Sequence, residues 1–433
     1  MNKAQACHLD DMPATGASSP EPAVDDGRRR IGRREFVALA AALMVLNSLS
    51  TDPMLAALPA IGAALDVAHA NARQWIVTIY FIGLGIGSLL FGVLSDRFGR
   101  RPVLLGSLAC YMIATALCAL AGSFALLIAS RFACGFFAAA SRVLCVSIIR
   151  DKFDGNRMAR ILSFMFMLFM IMPIVAPSIG QAILHLAGWR WIFGTLLAVG
   201  AAITLWVALR LPETRAPANR RAINAAELAG SLRALIGHRE GLTHNLASGI
   251  VLGGVIGYIA SVQQIFFEVF HAPALLPLAY AGVGLFMVVA SPLNGMIVQR
   301  FGARRLSRLG LLALAGSAAA HAVWIAGGLE SVASFIAFQG IAMACFAFIN
   351  ANLNAIAMSP FATIAGIASS FQSFVTTTLS ALAGAFIGHL FDGSVMPLAL
   401  GNLVLPVMAL ALLNIGRMDQ RTGCGGSERL GSL

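Results

Sequence analysis

Gly92-Val93-Leu94-Ser95-Asp96-Arg97-Phe98-Gly99-Arg100-Arg101 is a short charged turn set between two long apolar runs. A weaker copy stands in the second half of the chain as Gly295-Met296-Ile297-Val298-Gln299-Arg300-Phe301-Gly302-Ala303-Arg304-Arg305. At one constant offset Gly92, Arg97, Phe98, Gly99 and Arg101 recur as Gly295, Arg300, Phe301, Gly302 and Arg304. Two similar halves in an apolar chain point to a transporter, because pseudo-symmetric halves can rock about a site held between them.

Composition says the same about the solvent. The chain has 433 residues, of which 58% are hydrophobic and 11% charged. A soluble domain cannot hide that much apolar surface, so lipid solvates much of it. The net charge of +11 does not imply nucleic acid, since the basic residues fall in short clusters between apolar spans. Seven cysteines and eight histidines show no paired metal or redox spacing. No metal and no cofactor are expected. Neither a nucleophile–base constellation nor a phosphate-binding glycine loop is visible, which argues against an enzyme.

The organisation read from these runs is an all-α integral membrane protein with 12 transmembrane helices in two pseudo-symmetric six-helix bundles. Residues 1–34 are expected as a disordered cytoplasmic tail and 35–211 as the first bundle. A basic cytoplasmic linker follows at 212–240, then the second bundle at 241–417 and a cytoplasmic tail at 418–433. Orientation follows from Lys and Arg. Of 30 such residues, Arg73 and Arg190 alone fall on one face of the membrane, while Arg131 and Arg142 fall inside a span. Both termini are therefore expected in the cytoplasm.

An ionisable side chain in the hydrocarbon core costs about 2.5–3.5 kcal/mol on insertion scales, so each one is a functional candidate. Asp52 is the clear acid, in Ser48-Leu49-Ser50-Thr51-Asp52-Pro53 of the first span. Helical rise puts it about 24 Å past Phe36, at a depth similar to Arg131, which enters the fourth span from the far side. Pro53 weakens the backbone ladder beside it. Burial disfavours a charged carboxylate and a nearby arginine favours it, so movement of Arg131 relative to Asp52 would switch proton affinity. The alternative is that the two pair only to fix helix packing.

Arg142 follows Arg131 by three turns, on the same face and about 16 Å away. It reads as a cavity charge suited to neutral or anionic cargo. The second half offers no ionisable equivalent, leaving Gln263, Asn294 and Gln372 as polar cavity candidates. Glu268 is placed at the interface, near one end of the seventh span.

Gly92-x-Leu94-Ser95-Asp96-Arg97-x-Gly99-Arg100-Arg101-x-x-Leu104 resembles the loop 2–3 signature of the major facilitator superfamily. Arg131-Phe132-Ala133-Cys134-Gly135 is similar to its helix 4 motif, in which the arginine is implicated in proton coupling. Ala176-Pro177-Ser178-Ile179-Gly180 resembles the helix 5 motif of antiporters, with Ala176 and Gln181 standing where the fuller pattern has glycine. Within that superfamily the chain resembles the Bcr/CflA-type drug:proton antiporters. The resemblance rests on Ser50-Thr51-Asp52, Ile149-Arg150-Asp151, Gly188-Trp189-Arg190-Trp191 and Leu211-Pro212-Glu213-Thr214.

The resemblance implies proton-coupled efflux of small amphipathic or apolar compounds across an inner membrane by a monomer. The proton would be the coupling ion, and cargo and lipid the only partners. Asp52 would carry the proton and Arg131 modulate it. Gly92, Asp96, Arg97, Gly99, Arg100 and Arg101 would form a conformational latch, Asp96 facing a helix N-terminus in the opposite half. Pro173, Pro177 and Gly180 would bend helix 5 against leakage, or give an ordinary kink for packing. Rival readings are a proton-coupled carrier of one metabolite, and a sensor or scaffold that has lost transport.

Overall fold

A computed structural model describes residues 31–67, 69–153, 155–215 and 225–424. The expected tail before residue 31, much of the linker (216–224) and the end of the C-terminal tail lie outside that range. Within it, the first half comprises α1 (Arg33–Leu49), a 3-10 turn at Asp52–Ala57, α2 (Leu58–Ala64), α3 (Trp75–Phe98), α4 (Arg100–Ala119), α5 (Phe124–Lys152), α6 (Gly155–Ala187) and α7 (Arg190–Arg210). Helix α8 (Ala225–Gly237) lies in the linker. The second half comprises α9 (Arg239–Gln264), α10 (Leu276–Phe301), α11 (Ala303–Ala326), α12 (Val332–Met358), α13 (Ala365–His389) and α14 (Met396–Cys424).

No strand occurs among the described residues. Eleven stretches among them are long and apolar enough to cross a membrane. Helix α6, with 33 residues, stands in the fifth position of the first half. Many of its side chains, Pro173 among them, lie outside the description.

The internal repeat is a repeat of backbone geometry. Gly99 ends α3 and starts α4 at φ +99°, and Gly302 does the same between α10 and α11 at φ +76°. Paired with ψ near 150°, that conformation is open almost exclusively to glycine, which has no Cβ to clash. Each glycine folds two apolar helices into a tight hairpin.

The same correspondence sets the contact between the halves. Helix α3 packs on α13, and α10, its counterpart in the repeat, packs on α6. The break after α1 meets α9 between them. Within the first half α3 and α5 cross closely, because a Cβ at Gly83 or Gly87 would strike the carbonyls of Phe132 or Phe136. One at Gly135 would strike that of Tyr80. In lipid, where there is no hydrophobic drive between helices, such small-residue seams let backbones approach and gain dispersion.

Candidate functional site

The first span breaks where the sequence carries its acid. Helix α1 ends at Leu49, and Pro53, lacking an N–H, sits in the first turn of the 3-10 segment that follows. Asp52 is 3% exposed in this break. Its carboxylate accepts hydrogen bonds from Ser48 Oγ at 2.5 Å and Thr51 Oγ1 at 3.2 Å. Gly180 of α6 packs against the Pro53 carbonyl, closely enough that no side chain fits between them. The antiporter-like segment of α6 thus bears directly on the peptide next to Asp52.

Arg131 of α5 reaches the same break from the other side. Its Nη1 donates to the Ser50 carbonyl at 2.9 Å and its Nε to the Ile76 carbonyl at 3.2 Å. The guanidinium also lies over the Tyr80 ring, 4.6 Å from its centroid. Among the described residues no ion pair joins Arg131 to Asp52, so in this conformation the two are not the packing pair that the sequence left open. The physical reason is local. The break frees a carbonyl that a guanidinium satisfies well, while hydroxyls satisfy the carboxylate. Arg131 Nη2 is buried with no hydrogen-bond partner.

The remaining candidates scatter more widely. Arg142 is half-buried, with Tyr80 within electrostatic reach. Gln263 is 2% exposed and its amide nitrogen has no partner. Asn294 accepts from Asn352 at 2.8 Å, a bond between α10 and α12 inside the second bundle. Gln372 donates to the Asn354 side chain at 3.1 Å, next to Ser248 and Asn350. Glu268 is exposed in the π-helical segment after α9.

At the end of the bundle that carries the basic loops, three separated motifs form one cluster. Arg100 is 2% exposed and pairs with Asp96 at 2.8 Å and Asp151 at 3.0 Å. Glu213 accepts from the backbone N–H groups of Arg100 and Arg101 at 2.9 and 3.2 Å. A carboxylate there complements the positive end of α4. Asp96 also meets Arg215 at 3.6 Å. Its ion-pair partners thus lie on its own half and the linker, while the start of α13 has no side-chain cap. Gly92 packs on Ser370 of α13, and Arg97 lies over the ring of the adjacent Phe98. The cross-half contact expected of Asp96 is not among its contacts in this conformation.

At the opposite end the halves are tied together. Gln74 donates to Gln264, and Gln264 donates to Asn71 Oδ1 at 2.9 Å. Asn71 in turn donates to the His389 and Phe391 carbonyls at 3.1 Å each. This amide chain runs from the start of α3 to the ends of α9 and α13, and so bridges the two halves at that end.

Sequence reading missed Gln74, Asn71, Tyr80 and Tyr280. One signal was present. The chain has four tyrosines, Tyr80, Tyr111, Tyr258 and Tyr280. All are buried within helices, where tyrosine ordinarily prefers the membrane interface. Tyr111 bonds Ser50 Oγ at 2.6 Å, Tyr80 stacks on Arg131, and Tyr280 lies within electrostatic reach of Asp52. Three of the four therefore surround the break.

Comparisons with known proteins agree with this geometry. Residues 37–388 match the family model of the Major Facilitator Superfamily. The Bicyclomycin resistance protein homolog of Haemophilus influenzae is 25% identical over 402 residues, covering 89% of this chain and 98% of that protein. The uncharacterized MFS-type transporter YdgK of Bacillus subtilis is 31% identical over 60% of this chain, and the match spans 64% of YdgK. Multidrug resistance protein MdtL of Escherichia coli is 33% identical over 42% of this chain, a match to 46% of MdtL. Among solved structures, a D-xylose-proton symporter superposes with TM-score 0.66 at 14% identity, covering 86% of this chain and 96% of its own. The human organic anion transporter MFSD10 gives 0.58 at 18%, covering 89% and 100%. These last two bear on the fold alone. With its twinned glycine hairpins, its broken first span and a family match over most of its length, the chain belongs to the major facilitator superfamily, as a multi-pass membrane transporter resembling the Bcr/CflA-type drug:proton antiporters.

Proposed function

We propose that this transporter exports small amphipathic or apolar compounds in exchange for protons. The observation that carries the reading is Asp52, an acid buried in a broken helix beside an arginine that holds the break without pairing to the acid. A carboxylate in that position is costly as an anion and is held by two hydroxyls that tolerate either protonation state. Rocking of α5 or α6 shifts Arg131 or Gly180 against the break and so changes the field at Asp52. Asp52 then takes a proton in one conformation and gives it up in the other. Drug-resistance names among the relatives support export as the direction.

The basic loops, through the positive-inside tendency, support a cytoplasmic position for that end of the bundle, within a bacterial inner membrane. The amide chain of Asn71, Gln74 and Gln264 then closes the outer side, and the chain works as a monomer. The test is reconstitution of wild type and Asp52→Asn with an interior pH dye and a panel of antibiotics and dyes. Compound-dependent proton movement in wild type and its loss in the variant are expected. Equal proton movement in both would remove Asp52 from the mechanism, and none with any compound would remove antiport.

A further inference from the structure

Arg142 is a cation inside a membrane span that the described residues leave without a hydrogen bond or an ion pair. The chain's other interior cation shows how such a charge is normally settled. Arg131 has two carbonyls and a ring face. Arg142 has neither, and it is half-buried rather than sealed in the core. A half-exposed guanidinium at this depth, with no acid paired to it among the described residues, is open to a counter-group carried by the cargo.

The surroundings say where that group would sit. Ser141, beside Arg142, accepts from Asn47 at 2.9 Å, and Tyr80 donates to Asn47 at 3.4 Å, so α5, α1 and α3 are joined at this level. Val143, the residue after Arg142 on α5, and Ser370 of α13 both lie within 4 Å of a Cβ built on Gly92 of α3. Arg142 therefore lies level with the start of α13, where Gln372, Asn354, Asn350 and Ser248 make a half-buried cluster of amides and a hydroxyl. Helical rise agrees: Arg142 is about 15 Å from the Lys152 end of α5 and Gln372 about 10 Å from the Ala365 end of α13. One wall offers a lone cation and the other only neutral dipoles.

We propose that Arg142 docks an anionic group of the cargo, a carboxylate above all, while the amide cluster of the second half receives the polar remainder. This rests on the export reading above and narrows it: the preferred compounds are amphipathic organic acids. Guanidinium and carboxylate match in planar, paired hydrogen bonds, whereas an ester or amide offers no charge to the arginine.

The probes are dansylglycine, which is anionic at neutral pH, and its neutral amide, dansylglycinamide. Each is titrated by fluorescence against purified full-length wild type, Arg142→Gln and Arg142→Lys. Wild type should bind the acid at least about tenfold more tightly than the amide, the loss expected of one charge-assisted hydrogen bond. Arg142→Gln should abolish that preference and Arg142→Lys restore part of it. Equal affinity for the two probes in wild type, binding of neither, or a preference that survives Arg142→Gln would each overturn the proposal. The wild-type comparison stands even if a variant fails to fold. Proton movement driven by neutral compounds in the proteoliposome assay reports separately on antiport, so failure of the anion site leaves that reading distinguishable.

Discussion

Replacement of Gly180 by alanine puts a methyl group where α6 bears on the Pro53 peptide. The added Cβ would overlap the carbonyl oxygen, carbonyl carbon and Cα of Pro53, all backbone atoms that cannot swing aside. Overpacking of this kind costs about 1–3 kcal/mol. A penalty of that size changes an equilibrium by about 5- to 150-fold. It falls on the arrangement in which α6 seats against the broken first span, and the segment displaced is the one that carries Asp52. The assay is thermal unfolding in detergent, together with compound-dependent proton movement in vesicles. Gly106 of α4 supplies the control, because nothing lies within 4 Å of a Cβ built there. Gly106→Ala is expected to hold or raise stability, by up to about 1 kcal/mol of helix propensity. Gly180→Ala is expected to unfold earlier and transport less. Wild-type stability and transport in Gly180→Ala would refute the claim that this contact shapes the site.

Arg100→Ala removes the buried partner of Asp96 and Asp151 and should destabilise the first bundle by about 1.5–3 kcal/mol, read as an early unfolding transition. An unshifted transition would contradict the cluster's structural weight. Gln264→Ala cuts the bonds to Gln74 and Asn71, each contributing about 0.5–1.5 kcal/mol net. Spin labels at Asp66 and Asp392 should then show a larger long-distance population, and an unchanged distribution would show that this amide chain does not close the transporter. Arg131→Lys keeps the charge but cannot span the Ser50 and Ile76 carbonyls or stack on Tyr80 in the same way, so transport should fall about tenfold or more. Near-normal transport with lysine would mean that charge alone matters at this position.

What the sequence disclosed was what local chemistry controls. The turn glycines and the proline break beside Asp52 both follow from backbone sterics, which a single stretch carries within itself. Motifs far apart in sequence were visible one by one. That Arg100, Asp151 and Glu213 meet was not, since their association depends on how α4, α5 and α7 end at a common level. The relation of Arg131 to Asp52 was legible as proximity but not as geometry. Depth along a helix can be counted from rise, whereas the choice between a carboxylate and a freed carbonyl depends on where the helix opens. The joining of Asn71, Gln74 and Gln264 at the far end was not legible, because glutamine and asparagine near helix ends are common and only the packed halves join them. Asn294 shows the converse: a polar residue in a span that serves a bond within its own bundle.

Proton coupling in this transporter turns on Asp52 itself taking up and releasing the proton. Infrared difference spectra of purified wild type and Asp52→Asn across a pH titration test it without any assumption about cargo. The expected result is a carbonyl band from a protonated, hydrogen-bonded carboxyl that grows on acidification in wild type and is missing from the variant. Identical difference spectra for the two proteins would contradict it.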